Sequence, residues 1–118
     1  LDVAQRAAAH ALAVDFHPDS CVINHYATGA AMGLHRDDNE KSHDHPIVSI
    51  SLGCTARFLW GGVSKSDPVV EVPLQHGDVV VWGGPSRLRY HGVAPLAPGR
   101  HPLLDSWRWN LTLRRAGR

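Results

Sequence analysis

His35 and Asp37 stand two apart in the run Leu34-His35-Arg36-Asp37, and in an extended segment that spacing sends both side chains to one face. A neutral imidazole and a carboxylate on one face supply two ligands of a metal site. His91 is the choice for a third, in the strand-like run Leu88-Arg89-Tyr90-His91-Gly92, where the glycine lets another backbone come close. Two histidines and one carboxylate form the facial set of non-haem Fe(II) oxygenases, which leaves coordination positions open for substrate and O2. An H-x-D pair alone is common by chance, and nine histidines offer rivals. His43 and His45 lie in the polar segment 39–45, which reads as a loop, and loop histidines are usually solvated; neither is expected to touch the metal.

A second constellation lies near the C-terminus. In Arg108-Trp109-Asn110-Leu111-Thr112-Leu113-Arg114, strand alternation puts Trp109, Leu111 and Leu113 on a core face and Arg108, Asn110, Thr112 and Arg114 on the other. Inside a barrel that second face needs an anionic partner, because an uncompensated buried guanidinium costs several kcal/mol. The two arginine Cα atoms fall roughly 20 Å apart at about 3.3 Å per residue, and side chains leaning inward leave a gap suited to a short dicarboxylate. The fork of a guanidinium matches a carboxylate. An ordinary exposed cationic edge is the other reading of the same residues.

The remaining sequence must position these groups. Asp2 and Gln5 form a capping box, with Val3, Ala7, Ala11 and Val14 on one face, so residues 2–14 read as a helix. Beyond Pro18 the chain changes to short runs rich in Val, Ile, Leu and Trp between Gly, Pro, Asp and Asn. Strands are expected near 21–26, 32–36, 46–53, 56–60, 69–74, 78–82, 88–93 and 107–114. Eight short strands after one helix predict a mainly β fold, a double-stranded β-helix or jelly roll, as a single domain over residues 1–118.

Twelve Lys and Arg against eleven Asp and Glu leave no polybasic footprint, so any nucleic-acid contact must be local. Cys21 and Cys54 lack framework spacing and read as reduced thiols of a cytoplasmic protein. No apolar run is long enough for a membrane span.

Six segments then carry a resemblance: Asn24-His25-Tyr26-Ala27-Thr28-Gly29-Ala30, Leu34-His35-Arg36-Asp37, Pro46 through Gly53 (PIVSISLG), His76 through Gly84 (HGDVVVWGG), Tyr90-His91-Gly92, and Arg108 through Arg114 (RWNLTLR). Together they closely resemble the AlkB family of nucleic-acid dealkylating dioxygenases, from about residue 18 to the end.

The resemblance implies an enzyme that uses Fe(II), 2-oxoglutarate and O2 to demethylate alkylated bases oxidatively, releasing formaldehyde and succinate. His35, Asp37 and His91 match the iron ligands. Arg108 and Arg114 match the arginines that hold opposite carboxylates of 2-oxoglutarate, and Asn24, Tyr26 and Asn110 match polar groups that seat it. Trp82 resembles an aromatic residue beside the metal, and core filler is an equally good reading of it. Lys65, in the turn-rich segment 61–68, is a candidate phosphate contact or a solvated lysine. Asn39 stands where bacterial members usually carry an acid near the damaged base. The family's N-terminal lid over the substrate is expected to be absent. The implied partner is alkylated single-stranded or damaged DNA, or RNA, since base chemistry needs the nucleotide out of the stack. The protein is expected to act as a monomer away from membranes. A dioxygenase of the same fold acting on protein or a small molecule, and a jelly-roll binding module without catalysis, are the rival readings.

Overall fold

Alternation in the apolar runs decides which side of each strand turns inward, and pairing then stacks those faces. The computed structural model describes residues 6–7, 18–36 and 45–115. Eight strands follow in order: β1 (Ser20–Tyr26), β2 (Met32–His35), β3 (Ile47–Gly53), β4 (Ala56–Trp60), β5 (Val70–Leu74), β6 (Val79–Trp82), β7 (His91–Val93) and β8 (Arg108–Arg114). They form two antiparallel four-stranded sheets, ordered β1-β8-β3-β6 and β2-β7-β4-β5. This is the expected jelly roll. The expected helix over residues 2–14 lies outside the described residues except at 6 and 7.

β3 illustrates the division of faces. Ile47 packs between the sheets with Phe58, Leu74 and Trp82, while Val48 packs with Leu113, Ile50, Val81, Leu111 and Ala7 on the outer side of the first sheet. A third cluster gathers Tyr26, Cys54, Ala56, Val93 and Leu96. Each large apolar side chain buried this way contributes about 1.5–3 kcal/mol. Both cysteines are free thiols, and no described helix is long and apolar enough to cross a membrane.

One strand is shorter than expected by more than a single residue. Residues 88–90 belong to a turn rather than to β7, because a 3-10 turn over Gly84–Ser86 continues through Arg87 N–H to Gly84 O (3.2 Å) and Arg89 N–H to Ser86 O (3.1 Å). Those bonds hold the backbone out of the ladder until Tyr90 exchanges bonds with Gly61 and Gly62, each 2.8 Å.

The pairing of β2 with β7 matters most for the site. Met32 faces Val93 and His35 faces His91, so three steps on β2 match two on β7 and one residue bulges. The bulge brings His35 directly opposite His91. Gly92 permits the approach: a Cβ there would lie 2.7 Å from the Met32 carbonyl oxygen and 3.1 Å from Gly33 backbone atoms. Gly92→Ala is therefore expected to push β2 outward, to destabilise the fold by about 1–3 kcal/mol as overpacking does, and to weaken metal binding by separating the two imidazoles. Denaturant unfolding and metal titration of the variant check both effects.

Candidate active site

Between the sheets lies a cavity of about 230 Å³. Asn24, Tyr26, His35, His91, Arg108, Asn110 and Arg114 all line it. Four elements deliver them: β1 and β8 present alternate residues inward, whereas β2 contributes His35 past its bulge and β7 contributes His91.

At one end two imidazoles face each other with ring centroids 4.5 Å apart and planes tilted by 58°. His35 Nδ1 donates to Gly33 O at 2.9 Å and His91 Nδ1 donates to Arg89 O at 3.2 Å. A carbonyl only accepts, so in the neutral ring each Nδ1 carries the hydrogen and each Nε2 keeps its lone pair for a ligand bond. His91 is 5% exposed and sits among aromatic rings, with Trp82 at 4.8 Å, Phe58 at 6.1 Å and Trp60 at 6.5 Å between centroids. This packing limits its movement. The donor set suits a borderline divalent ion such as Fe(II).

Among the described residues no group of three His, Cys, Asp or Glu side chains is gathered that could hold a metal ion. The expected third ligand, Asp37, lies outside the described residues, as do Asn39 and His43.

At the other end Arg108 is 1% exposed. Its Nη2 donates to Ser51 Oγ at 2.9 Å, and its Cζ lies 5.1 Å from the centre of the Tyr26 ring. Nε and Nη1 are buried without a hydrogen-bond partner. Burial pushes the Arg108 pKa below its ordinary value, partly offset by attraction to Tyr26; burial likewise raises the Tyr26 hydroxyl, partly offset by Arg108. A guanidinium with two orphaned donors beside a cavity fits a carboxylate. Next to it a polar ladder runs along β8: Asn110 Nδ2 donates to Ser49 Oγ (2.6 Å) and Ile50 O (3.3 Å), and Thr112 Oγ1 donates to Asn110 Oδ1 (2.8 Å). These bonds hold the Asn110 amide in one orientation. Arg114 lines the cavity and Arg115 does not, as alternation requires.

Two of the residues weighed above stand elsewhere. Lys65 is exposed in the 61–69 segment and does not line the cavity, and among the described residues the contact of His45 is through its carbonyl, which accepts from Arg87 Nε at 2.9 Å. Reasoning from residue types passed over Ser49, Ser51, Phe58 and Trp60. The serines had left a signal, two hydroxyls alternating with Val48 and Ile50 in an otherwise apolar strand.

Several known proteins are similar to this chain. It is 53% identical over 117 residues to the alpha-ketoglutarate-dependent dioxygenase AlkB of Escherichia coli K12, covering 99% of this chain and 54% of that protein. It is 42% identical over 85 residues to the DNA N(6)-methyladenine demethylase ALKBH1A of Arabidopsis thaliana, covering 72% of this chain and 25% of that one. The solved structure of OsALKBH1 superposes with a TM-score of 0.82 at 34% identity, covering 97% of this chain and 61% of that chain. The chain thus spans about half the length of the AlkB proteins it matches. The model of the 2OG-Fe(II) oxygenase superfamily matches residues 1–114. That match takes in every strand and every cavity residue described above, so the chain belongs to the 2OG-Fe(II) oxygenase superfamily, and Fe(II), 2-oxoglutarate and O2 are the reactants that membership implies.

Proposed function

We propose that residues 1–118 form the catalytic core of a dioxygenase that demethylates alkylated bases in nucleic acid, DNA first and RNA second. The observation that carries this reading is the convergence on one cavity of a facing histidine pair and a buried, incompletely paired arginine, in a chain 53% identical to an AlkB protein. His35, Asp37 and His91 would hold Fe(II). Arg108 and Arg114 would take the two carboxylates of 2-oxoglutarate, with Asn24, Tyr26 and Asn110 seating its polar atoms.

When bound, Fe(II) with 2-oxoglutarate supplies the O2 activation that oxidises an N-alkyl group. The chain's own contribution is placement. Strand-borne imidazoles with fixed tautomers would present their Nε2 atoms to the metal. The guanidinium of Arg108 keeps the cosubstrate in register, and the wall of Phe58, Trp60 and Trp82 keeps water from His91. Asn39, which can donate and accept, is proposed beside the target base, and Lys65 at a phosphate. Two free thiols support a reducing, cytoplasmic setting.

Incubated with Fe(II), 2-oxoglutarate and a methylated single-stranded oligonucleotide, the protein is expected to release formaldehyde and succinate in matching amounts. Succinate without formaldehyde from DNA and RNA alike, with formaldehyde appearing on a peptide or small amine, would assign the fold to another substrate.

A further inference from the structure

Arg89 does not line the cavity and precedes β7. Its backbone carbonyl nevertheless accepts the His91 Nδ1–H at 3.2 Å, the bond that leaves His91 Nε2 as the ligand nitrogen. Such a bond is aimed only as well as the peptide that carries the carbonyl, and residue 89 lies in a turn, outside the regular ladder. The side chain provides the missing anchor. Arg89 Nε donates to Gly61 O at 2.6 Å, and Cζ lies 4.8 Å above the Trp60 ring. Trp60 is in turn the cross-strand partner of His91 in the β4–β7 pairing. One side chain therefore ties down both the carbonyl that orients His91 and the indole that faces it.

We propose that Arg89 is a positioning residue: by bracing its own peptide against Gly61 and Trp60, it fixes the orientation and neutral tautomer of His91 and so sets metal affinity. This rests on the reading of His91 as a metal ligand. The reason lies in the side chain's two simultaneous contacts. An apolar residue would cover Trp60 but could not reach the Gly61 carbonyl with a hydrogen, and a guanidinium does both through one rigid plane.

The test uses Co(II) alone as probe, its visible absorption reporting occupancy, and the whole chain throughout. Arg89→Leu keeps apolar contact with Trp60 and removes the donor. It is expected to weaken Co(II) binding about 10- to 100-fold, the usual loss when an outer partner of a ligating histidine is removed. In the metal-free protein, nitrogen-15 histidine spectra should show the His91 hydrogen shared between Nδ1 and Nε2 instead of held on Nδ1, while His35 stays unchanged. Arg89→Lys keeps a cation over Trp60 and a donor within reach, and should recover affinity toward the parent. Parent-like Co(II) affinity with His91 Nδ1–H retained in Arg89→Leu overturns the brace, and so does a folded Arg89→Lys that recovers nothing. His91→Ala separates the two ideas. If it binds Co(II) as the parent does, the metal-ligand reading fails and the brace with it; if it loses binding while Arg89→Leu does not, only the brace fails.

Discussion

Removing either imidazole of the facing pair is expected to abolish metal-dependent turnover. His35→Ala is the cleaner change, because His35 is half-buried at the end of β2 whereas His91 is packed among Phe58, Trp60 and Trp82. Loss of a ligand should exceed the roughly 10- to 100-fold loss typical of an outer partner. Asp37→Ala should match His35→Ala, completing a set of two histidines and one carboxylate. His45→Ala should change nothing, since among the described residues the contact of His45 is through its backbone carbonyl. Metal titration of the three variants, with succinate formation measured alongside, gives the outcome. Parent-like binding by Asp37→Ala, or a loss at His45, would move the metal site away from the β2–β7 pair.

Arg108→Met is expected to move binding and stability in opposite directions. Truncating one partner of a buried charge pair typically costs about 2–5 kcal/mol of binding, or about 30- to 4,000-fold in 2-oxoglutarate affinity. The unliganded fold should not suffer comparably. Arg108 is nearly fully buried, its Nε and Nη1 have no partner, and burial lowers its pKa, so the folded state disfavours the charge the residue still carries at any ordinary pH. Replacing such a group by a well-packed apolar side chain is often neutral or stabilising by about 1–4 kcal/mol. Calorimetric binding of 2-oxoglutarate and the melting temperature without it test the pair of effects. A variant that binds normally, or one that loses binding only because it unfolds, would show that Arg108 serves the fold and not the cosubstrate. Arg114→Ala should also weaken 2-oxoglutarate binding and Arg115→Ala should not, because only the former lies on the cavity side of β8.

Local regularities made much of this legible in the residues alone. A side-chain period of two assigned Arg108, Asn110, Thr112 and Arg114 to one face before any partner strand was known, and the face proved to be the cavity wall. Turn residues marked all eight strands, because Gly, Pro, Asn and Asp act through the backbone of their own neighbourhood. Asp37 and Asn39 lie outside the described residues, and their roles still rest on the H-x-D spacing and the resemblance.

Tertiary structure decided what depends on contacts between distant segments. That β8 is paired by β1 on one side and β3 on the other follows from sheet order, which no local pattern encodes. The bulge on β2 exists only relative to β7, and without it His35 would not face His91. The turn that shortens β7 replaced residues 88–90 of the expected strand because hydrogen bonds back to Gly84 and Ser86 outweighed a strand-like run of residues. The same turn set the Arg89 carbonyl beneath His91. The serines of β3 became partners of Arg108 and Asn110 only once β3 and β8 lay side by side. Side-chain type and alternation are properties of a few neighbouring residues, so they can be read along the chain; register, bulges and the partner of a buried polar atom arise from pairings between segments far apart, and only the folded molecule specifies them.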